Sequence, residues 1–263
     1  MILQNESMIR MSVFIGVLAC MMILEAAFPR KTRTQGRGLR WATNLGIVVI
    51  YTFVLRLLFP MAALGMASYA HAKGWGVLNM WGLPTWVNII ITVIALDFAV
   101  YWQHVISHKV PVFWALHKVH HADRDIDATT GIRFHPGEVV LSMLYKMAAV
   151  LVLGPSVIGV FVFEILLNGS AMFNHANVKL PLWLERGLRI GFVTPDMHRV
   201  HHSILKQETD SNYGFFLSVW DRIFRSYTAQ PERGHDGMTI GLPHYQNEKP
   251  SRILWCLALP FRR

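Results

Sequence analysis

The chain has 263 residues, of which 53% are hydrophobic and only 16% are charged, and its mean hydropathy is +0.34. Soluble globular domains carry about 25% charged residues, so this composition excludes an ordinary soluble domain and predicts an integral membrane protein. The net charge of +9 does not indicate a nucleic-acid partner, because no basic groove with interleaved aromatic residues is apparent.

The first predicted membrane span covers residues 11–28 and is uncharged up to Glu25. A signal peptide is the alternative, because Arg10 precedes the apolar core. The length of the apolar run and the basic loop that follows it favour an uncleaved anchor. The basic residues of that loop are Arg30, Lys31, Arg33, Arg37 and Arg40.

Further apolar stretches follow in chain order. Residues 45–70 form the second predicted span, interrupted by Arg56 and Pro60, and residues 86–102 form the third. Two shorter runs, 139–153 and 157–173, are separated by Gly154 and Pro155. An upright span takes about 20 residues, so these two runs predict either two tilted spans or a re-entrant hairpin.

The predicted fold is therefore all-α. It is a polytopic membrane protein with about four transmembrane helices, or three and a re-entrant hairpin, and a cytoplasmic helical cap that carries a histidine cluster. Three regions are predicted: an N-terminal transmembrane region (1–85), a central region (86–230) and a C-terminal interfacial tail (231–263), whose apolar segment 253–261 is too short to span.

Charge and hydropathy also predict the topology. The loop after the first span has five basic residues, whereas the loop between the second and third spans has only Lys73 and His71. The positive-inside rule places the first loop in the cytoplasm and the second outside. The third span then returns to the cytoplasm, and the following hairpin leaves the chain on the same side.

Three histidine clusters stand out in the regions that this topology brings to the cytoplasmic face: HVISH, HKVHH and HRVHH. Their spacings of three and four residues place the rings of each cluster on one face of a helix. The eight residues are His104, His108, His117, His120, His121, His198, His201 and His202. His71, His235 and His244 are interpreted as ordinary core or surface residues.

Eight unpaired imidazoles buried together would leave donors and acceptors unsatisfied, so the clusters predict metal binding. One zinc ion uses three or four protein ligands, so eight or more ligands favour two metal ions. Carboxylates nearby would then orient the rings and offset the metal charge. Acidic residues close to the clusters in the sequence are Asp97, Asp123, Asp125, Asp127, Asp196 and Asp210.

The ordered motifs carry a family resemblance. HVISH, HKVHH, RFHPGE, NHAN and TPDMHRVHHS, followed by TDSNYG and WDRIF, resemble the fatty acid hydroxylase and sterol desaturase superfamily of membrane-bound histidine-rich di-iron oxygenases. The resemblance covers residues 97–227, about half of the chain, and implies that the central region 86–230 is a fatty acid hydroxylase-like catalytic domain. Any single HxxHH motif would be weak, whereas the ordered set is specific.

The resemblance implies that the eight clustered histidines are metal ligands and that His175, in NHAN, is a ninth, with an ordinary helix-end histidine as the alternative for His175. His135, in RFHPGE, also matches a family position. A role behind the ligands or in a substrate channel is favoured for it, because Pro136 breaks the helix just beyond, and a structural role at the membrane interface is the alternative. Glu138 and Asp196 are further candidates for contacts behind the ligands. Among the later residues, Trp220, Phe224 and Tyr227 are interpreted as interfacial anchors, and Asp221 with Arg222 as a surface pair.

The cofactors implied are two iron ions, for which zinc can substitute in purified protein, with dioxygen as co-substrate. The substrate implied is a membrane lipid, either a sterol, a fatty acyl chain, a sphingolipid, an ether lipid or a carotenoid. No haem- or flavin-binding signature is apparent, so electrons are expected from a separate reductase, cytochrome or ferredoxin. Hydroxylation and desaturation both remain open, and the sequence does not indicate the oligomeric state.

Two other classes of function remain as alternatives. A histidine-rich zinc hydrolase would carry a general-base carboxylate beside its ligands, as in HExxH, and HVISH has none. A metal-handling membrane protein such as a transporter would place its ligands near the middle of the bilayer, whereas these lie at helix ends.

Overall fold

The computed structural model describes residues 5–262, which form an all-α structure without β-strands. The long helices are α1 (Glu6–Ala27), α2 (Arg37–Leu58), α3 (Ala62–Lys73), α5 (Thr85–Lys109), α6 (Pro111–His121), α7 (Pro136–Leu153) and α8 (Val157–His175). The short helices are α4 (Val77–Met80), α9 (Leu182–Leu188), α10 (Pro195–His201), α11 (Lys206–Thr209), α12 (Val219–Ile223), α13 (Gly234–Gly237) and α14 (Ile253–Ala258).

Five segments are long and apolar enough to cross a membrane: α1, the segment Arg37–Met80, α5, α7 and α8. The predicted polytopic all-α fold is confirmed, and the chain is a multi-pass membrane protein. Within Arg37–Met80 the helix stops at Leu58 and resumes at Ala62, around the predicted interruption at Pro60. Both runs that were short for a span are regular helices, of 18 and 19 residues.

Helix starts follow local capping chemistry. Pro111, Pro136 and Pro195 each occupy the first turn of a helix. A backbone N–H at this position would have no hydrogen-bond partner within the helix, so proline costs nothing there. The prediction that Pro136 breaks a helix is therefore wrong: it begins α7. His135 is the residue before that helix, and its Nδ1 accepts the Gly137 N–H at 3.1 Å.

Helix α5 lies at the centre of the bundle and packs against α6, α7 and α8, while α1 packs on α8 and α3 on α7 and α8. The apolar contacts between these helices include Ala67, Leu96, Val150, Val160 and Phe163, all buried. This packing fixes α5 and α8, which both carry histidines at their C-terminal ends.

The two ends of the bundle differ in character. At one end, Asn88 at the start of α5 accepts the Ser156 N–H at 2.9 Å, where α7 turns into α8. At the other end, the Arg30 N–H donates to the Asn177 carbonyl at 3.0 Å and joins the loop after α1 to the chain after α8. The basic loop and the histidine clusters therefore lie at the same end, as the topology predicted.

The rest of the chain folds over this histidine-bearing end. Helices α9 to α13 follow α8, and the C-terminal segment returns to α2 and α6. In that segment Trp255, Cys256 and Leu259 are buried, while Leu254 and Phe261 are exposed. The tail predicted to lie in the interface thus has one face in the protein core and one outside it.

Candidate metal centre

Nine histidines form one continuous cluster that divides into two groups of rings. The five-histidine group consists of His104, His108, His117, His121 and His201. The four-histidine group consists of His120, His175, His198 and His202. Within each group one nitrogen from every ring lies within 4.8 Å of those from the others.

Each group draws on several helices. The five-histidine group takes two rings from α5, two from α6 and one from α10. The four-histidine group takes one ring from α6, one from the last residue of α8, and two from α10 and the residue that ends it. The two groups touch, since the rings of His121 and His202 stack with centroids 4.5 Å apart.

In the four-histidine group the Nε2 atoms converge on His175. Its Nε2 lies 3.0 Å from that of His120, 3.0 Å from that of His198 and 3.1 Å from that of His202. One ring nitrogen has either one proton or one lone pair, so these three contacts cannot all be hydrogen bonds. Bonds of about 2.1 Å to a common metal ion would place neighbouring nitrogens about 3.0–3.4 Å apart.

The five-histidine group has the same character. The Nε2 atoms of His104 and His117 lie 3.2 Å apart. The Nε2 atoms of His108, His121 and His201 are buried and have no hydrogen-bond partner among the described residues. Buried nitrogens without partners are costly unless a ligand satisfies them, and neutral imidazole is a common metal ligand. The nine rings therefore fit two metal ions.

Burial favours the neutral form of several of these rings, and neutral imidazole is the form that binds metal. Desolvation, followed by repulsion from neighbouring rings, lowers the pKa of His120, His121 and His202 well below the ordinary histidine value. Desolvation also lowers the pKa of His201 to about 3.

Acceptors behind four of the rings fix which nitrogen faces inward. Nδ1–H groups donate from His104 to the Tyr213 carbonyl at 2.8 Å and from His175 to the Ala171 carbonyl at 2.6 Å. The His201 Nδ1–H donates to the Ser211 carbonyl at 2.7 Å. Because a carbonyl only accepts, the proton sits on Nδ1 and the Nε2 lone pair is free for a metal.

The fourth ring with an acceptor behind it is that of His117, and the acceptor is the carboxylate of Glu138. Its Oε1 accepts the Nδ1–H of His117 at 2.6 Å, and its Oε2 is buried without a partner among the described residues. This contact places Glu138 on the outer side of a ring of the five-histidine group. A carboxylate in this position orients the ring and makes its other nitrogen a better ligand.

The other candidate residues lie elsewhere. The side chain of Asp196 binds Arg30 and Arg199, and its carboxylate oxygen is 3.7 Å from Nε2 of His235, which is outside both groups. His135 faces the C-terminal segment, where its Nε2 is 3.3 Å from the Leu257 carbonyl oxygen. Neither residue has a hydrogen bond to the nine histidines within residues 5–262.

Most of the acidic residues near the clusters contact an arginine or backbone N–H groups instead of the histidine rings. Asp123 and Asp127 form buried ion pairs with Arg40 of α2, and Asp125 accepts N–H groups from the loop before that helix. Asp210 comes closest to a ligand, with Oδ1 3.7 Å from Nδ1 of His108, which is too long for a hydrogen bond. The contacts of Asp123, Asp125 and Asp127 hold the chain that follows α6 against α2 and the loop before it.

Asp221 is a buried residue whose importance the sequence does not reveal. Its carboxylate accepts the N–H groups of Tyr213 and Gly214 and the hydroxyl of Ser226, so the expected surface pair with Arg222 is wrong. Burial raises the pKa of Asp221 to about 6. The residue thereby holds the segment whose Tyr213 carbonyl orients the His104 ring.

Asp97 anchors the same region from α5. Its carboxylate accepts the N–H groups of Phe216 and Leu217 and the indole N–H of Trp220. Trp220 also packs on Phe98 of α5, with ring centroids 5.0 Å apart. Its indole contacts α5 directly, which the interpretation as an interfacial anchor did not include.

Comparison with known proteins identifies the family. The fatty acid hydroxylase family model matches residues 89–226, just over half of the chain, and this range contains all nine histidines. The chain belongs to the fatty acid hydroxylase family. No solved structure matches this family member.

Curated relatives of this fatty acid hydroxylase family member are enzymes of lipid chemistry. Human alkylglycerol monooxygenase is 30% identical over 178 residues, which are 66% of this chain and 38% of that protein. The ornithine lipid hydroxylase of Rhizobium tropici is 24% identical, over 78% of this chain and 59% of its own. Methylsterol monooxygenase 2-2 of Arabidopsis thaliana is 25% identical, over 67% and 65%. The chain spans less than half the length of the alkylglycerol monooxygenases it matches.

Proposed function

We propose that this protein is a membrane-bound di-iron oxygenase that hydroxylates or desaturates a C–H bond of a lipid. The observation that carries the proposal is the pair of buried histidine groups, whose nitrogens converge without other partners. Relatives named as monooxygenases and hydroxylases support a metal that can activate dioxygen, for which we propose iron. The nine histidines would be the ligands.

Two iron ions would supply the oxidising chemistry, with dioxygen as co-substrate. The chain would hold them in place and exclude water, since the rings of His120, His201 and His202 are almost entirely buried. Glu138 would orient His117 through the bond to its Nδ1–H, and the Tyr213 carbonyl would orient His104. Electrons would come from a separate reductase, cytochrome or ferredoxin.

The substrate would be a membrane lipid, because the histidine groups lie where α5 and α8 end, next to the bilayer. The active site would face the cytoplasm. The basic loop after α1 supports this orientation: it contacts the histidine-bearing end through Arg30 and Lys31, and basic loops are retained on the cytoplasmic side.

Metal analysis of protein purified gently after iron-replete expression tests the proposal. We expect about two iron ions per chain, in line with two ligand groups. Lipids of cells with and without the gene would then be compared by mass spectrometry. The expected change is a gain of one oxygen atom or a loss of two hydrogen atoms in a single lipid class.

Two results would contradict the proposal. One zinc ion per chain and no iron would favour the zinc hydrolase, and metal that exchanges across the membrane would favour a metal-handling protein. Exposed His244 offers a control, because His244→Ala should leave both the metal content and the lipid change as they are.

A further inference from the structure

A cavity of about 220 Å³ lies beside the five-histidine group, between α5, α6 and α7. Its wall includes Gln103, Ser107, Leu116, Glu138 and Ser142. Ser107 and Leu116 directly precede His108 and His117 in the chain, and Glu138 accepts the His117 Nδ1–H. The cavity therefore extends to the residues that hold one of the two groups.

The position of the cavity along the helices gives its depth in the membrane. Helix α7 begins at Pro136, so Ser142 and Tyr145 lie about 9–14 Å from the histidine-bearing end. The lining residues Ile106, Leu141 and Tyr145 are more than a third exposed and face outward from the bundle. The cavity thus opens on the side of the bundle near its histidine-bearing end, at a depth that would give a membrane lipid access from the adjoining leaflet.

The lining is apolar with a few neutral polar groups. Ile106, Phe113 and Leu141 supply apolar surface, and the Gln103 amide donates to the Ser142 hydroxyl at 2.6 Å. Among the lining residues that the structure describes, none is a lysine or an arginine. Such a lining suits an alkyl chain and lacks the cation that a phosphate group would need.

Glu138 is the acidic residue of this lining and lies at the histidine-bearing end of the cavity. Its Oε1 is used by His117, whereas its Oε2 is buried and accepts no hydrogen bond from residues 5–262. An unpaired buried acceptor is costly and is satisfied by a donor such as a hydroxyl group. A phosphate placed there would instead be repelled by the carboxylate.

We propose that this cavity binds a neutral lipid with a free hydroxyl group, which donates to Oε2 of Glu138 while the chain occupies the apolar wall. The inference deepens the proposed function and rests on it. The bound hydroxyl then lies beside the Nδ1 edge of the His117 ring, so the polar end of the lipid, and not the end of its chain, occupies the histidine-bearing end of the cavity.

Photolabelling of the full-length protein in lipid nanodiscs tests the inference. The probes are a monoacylglycerol with a diazirine in its chain and the same molecule carrying a phosphate. We expect the uncharged probe to label peptides covering residues 103–116 and 138–145. The phosphorylated probe should label these peptides at least about tenfold less, because a site that accepts a hydroxyl group discriminates against a different polar group.

Two matched substitutions in α7 localise the labelling. Ser142→Trp fills the cavity and should reduce labelling about tenfold. Val152→Trp adds the same side chain on the same helix at an exposed position remote from the cavity, and should leave labelling unchanged. The smaller Ser142→Leu replaces Ser142→Trp if the latter loses its metal, which is measured in every preparation.

Equal labelling of wild type and a metal-replete Ser142 variant would overturn the inference, as would equal labelling by the phosphorylated probe. The outcome is independent of the metal analysis that tests the proposed function. An iron-containing protein without labelling in the cavity refutes the cavity alone. A zinc protein that is labelled there refutes the oxygenase alone.

Discussion

The two histidine groups are built from the same kind of side chain, but their rings are held in different ways. In the five-histidine group, His104, His117 and His201 each donate Nδ1–H to an acceptor outside the cluster. In the four-histidine group only His175 does so. The Nδ1 atoms of His120, His198 and His202 have no partner within the described part of the chain.

This difference indicates what fixes the orientation of the rings in each group. Outer acceptors fix ring orientation and strengthen a ligand, so the five-histidine group is organised by the surrounding protein. The four-histidine group is organised by its own convergence on the His175 Nε2. We therefore expect the five-histidine group to hold its metal more tightly.

His175→Ala should have the largest effect, because it removes the nitrogen on which the four-histidine group converges. We expect the metal content to fall from about two ions per chain to about one, and activity to fall more than about 100-fold. Elemental analysis and lipid turnover measure the two effects. Retention of both ions would remove His175 from the ligand set.

Glu138→Gln should weaken the five-histidine group selectively. The amide no longer offers His117 a carboxylate, and loss of such a contact costs about 10–100-fold in metal affinity. Competition with a chelator, followed for each ion released, measures the change. Exposed Glu248→Gln is the matched control. A loss shared equally by both ions would contradict the separate roles of the two groups.

Asp221→Asn should have a smaller effect on the metal and act mainly on the fold. The carboxylate accepts three hydrogen bonds, and an amide leaves at least one buried donor unsatisfied. We expect the free energy of unfolding to fall by about 1–3 kcal/mol, read from thermal melts in detergent. Because Tyr213 orients His104, any acceleration of metal release relative to wild type should affect the five-histidine group; acceleration only at the other group would refute this route.

Acidification should affect the two groups alike, because rings of both groups are held neutral by burial. In the folded apoprotein, desolvation lowers the pKa of His201 to about 3 and lowers that of His202 as well. In the unfolded chain these histidines bind protons below about pH 6.5, so the apoprotein loses stability as the pH falls through that value. Melting temperatures of metal-free protein between pH 8 and pH 5 measure the loss, and a constant value would contradict it.

Local periodicity made much of this site predictable. The spacing within each HxxHH motif depends only on helix geometry, and the convergence of the clusters follows from the number of spans between them. The division into groups depends on tertiary packing instead. His120 and His121 are adjacent, yet successive helical positions point about 100° apart, and the two rings belong to different groups.

Residues that act through long-range contacts escaped prediction for a related reason. Asp221 looks like half of a surface pair because its partners, Tyr213 and Ser226, become neighbours only when the segment folds back. Pro136 looks like a helix breaker because proline both ends and begins helices, and the capping bond from Gly137 to His135 decides between them.

Helix α10 contributes to both groups, since His201 belongs to one while His198 and His202 belong to the other. Whichever ion binds first fixes the position of this helix and aligns the rings that the second ion needs. Binding of one ion should therefore raise the affinity of the other group for its own ion, measured by metal titration of wild-type protein. One short helix of seven residues thus couples the occupancy of the two sites.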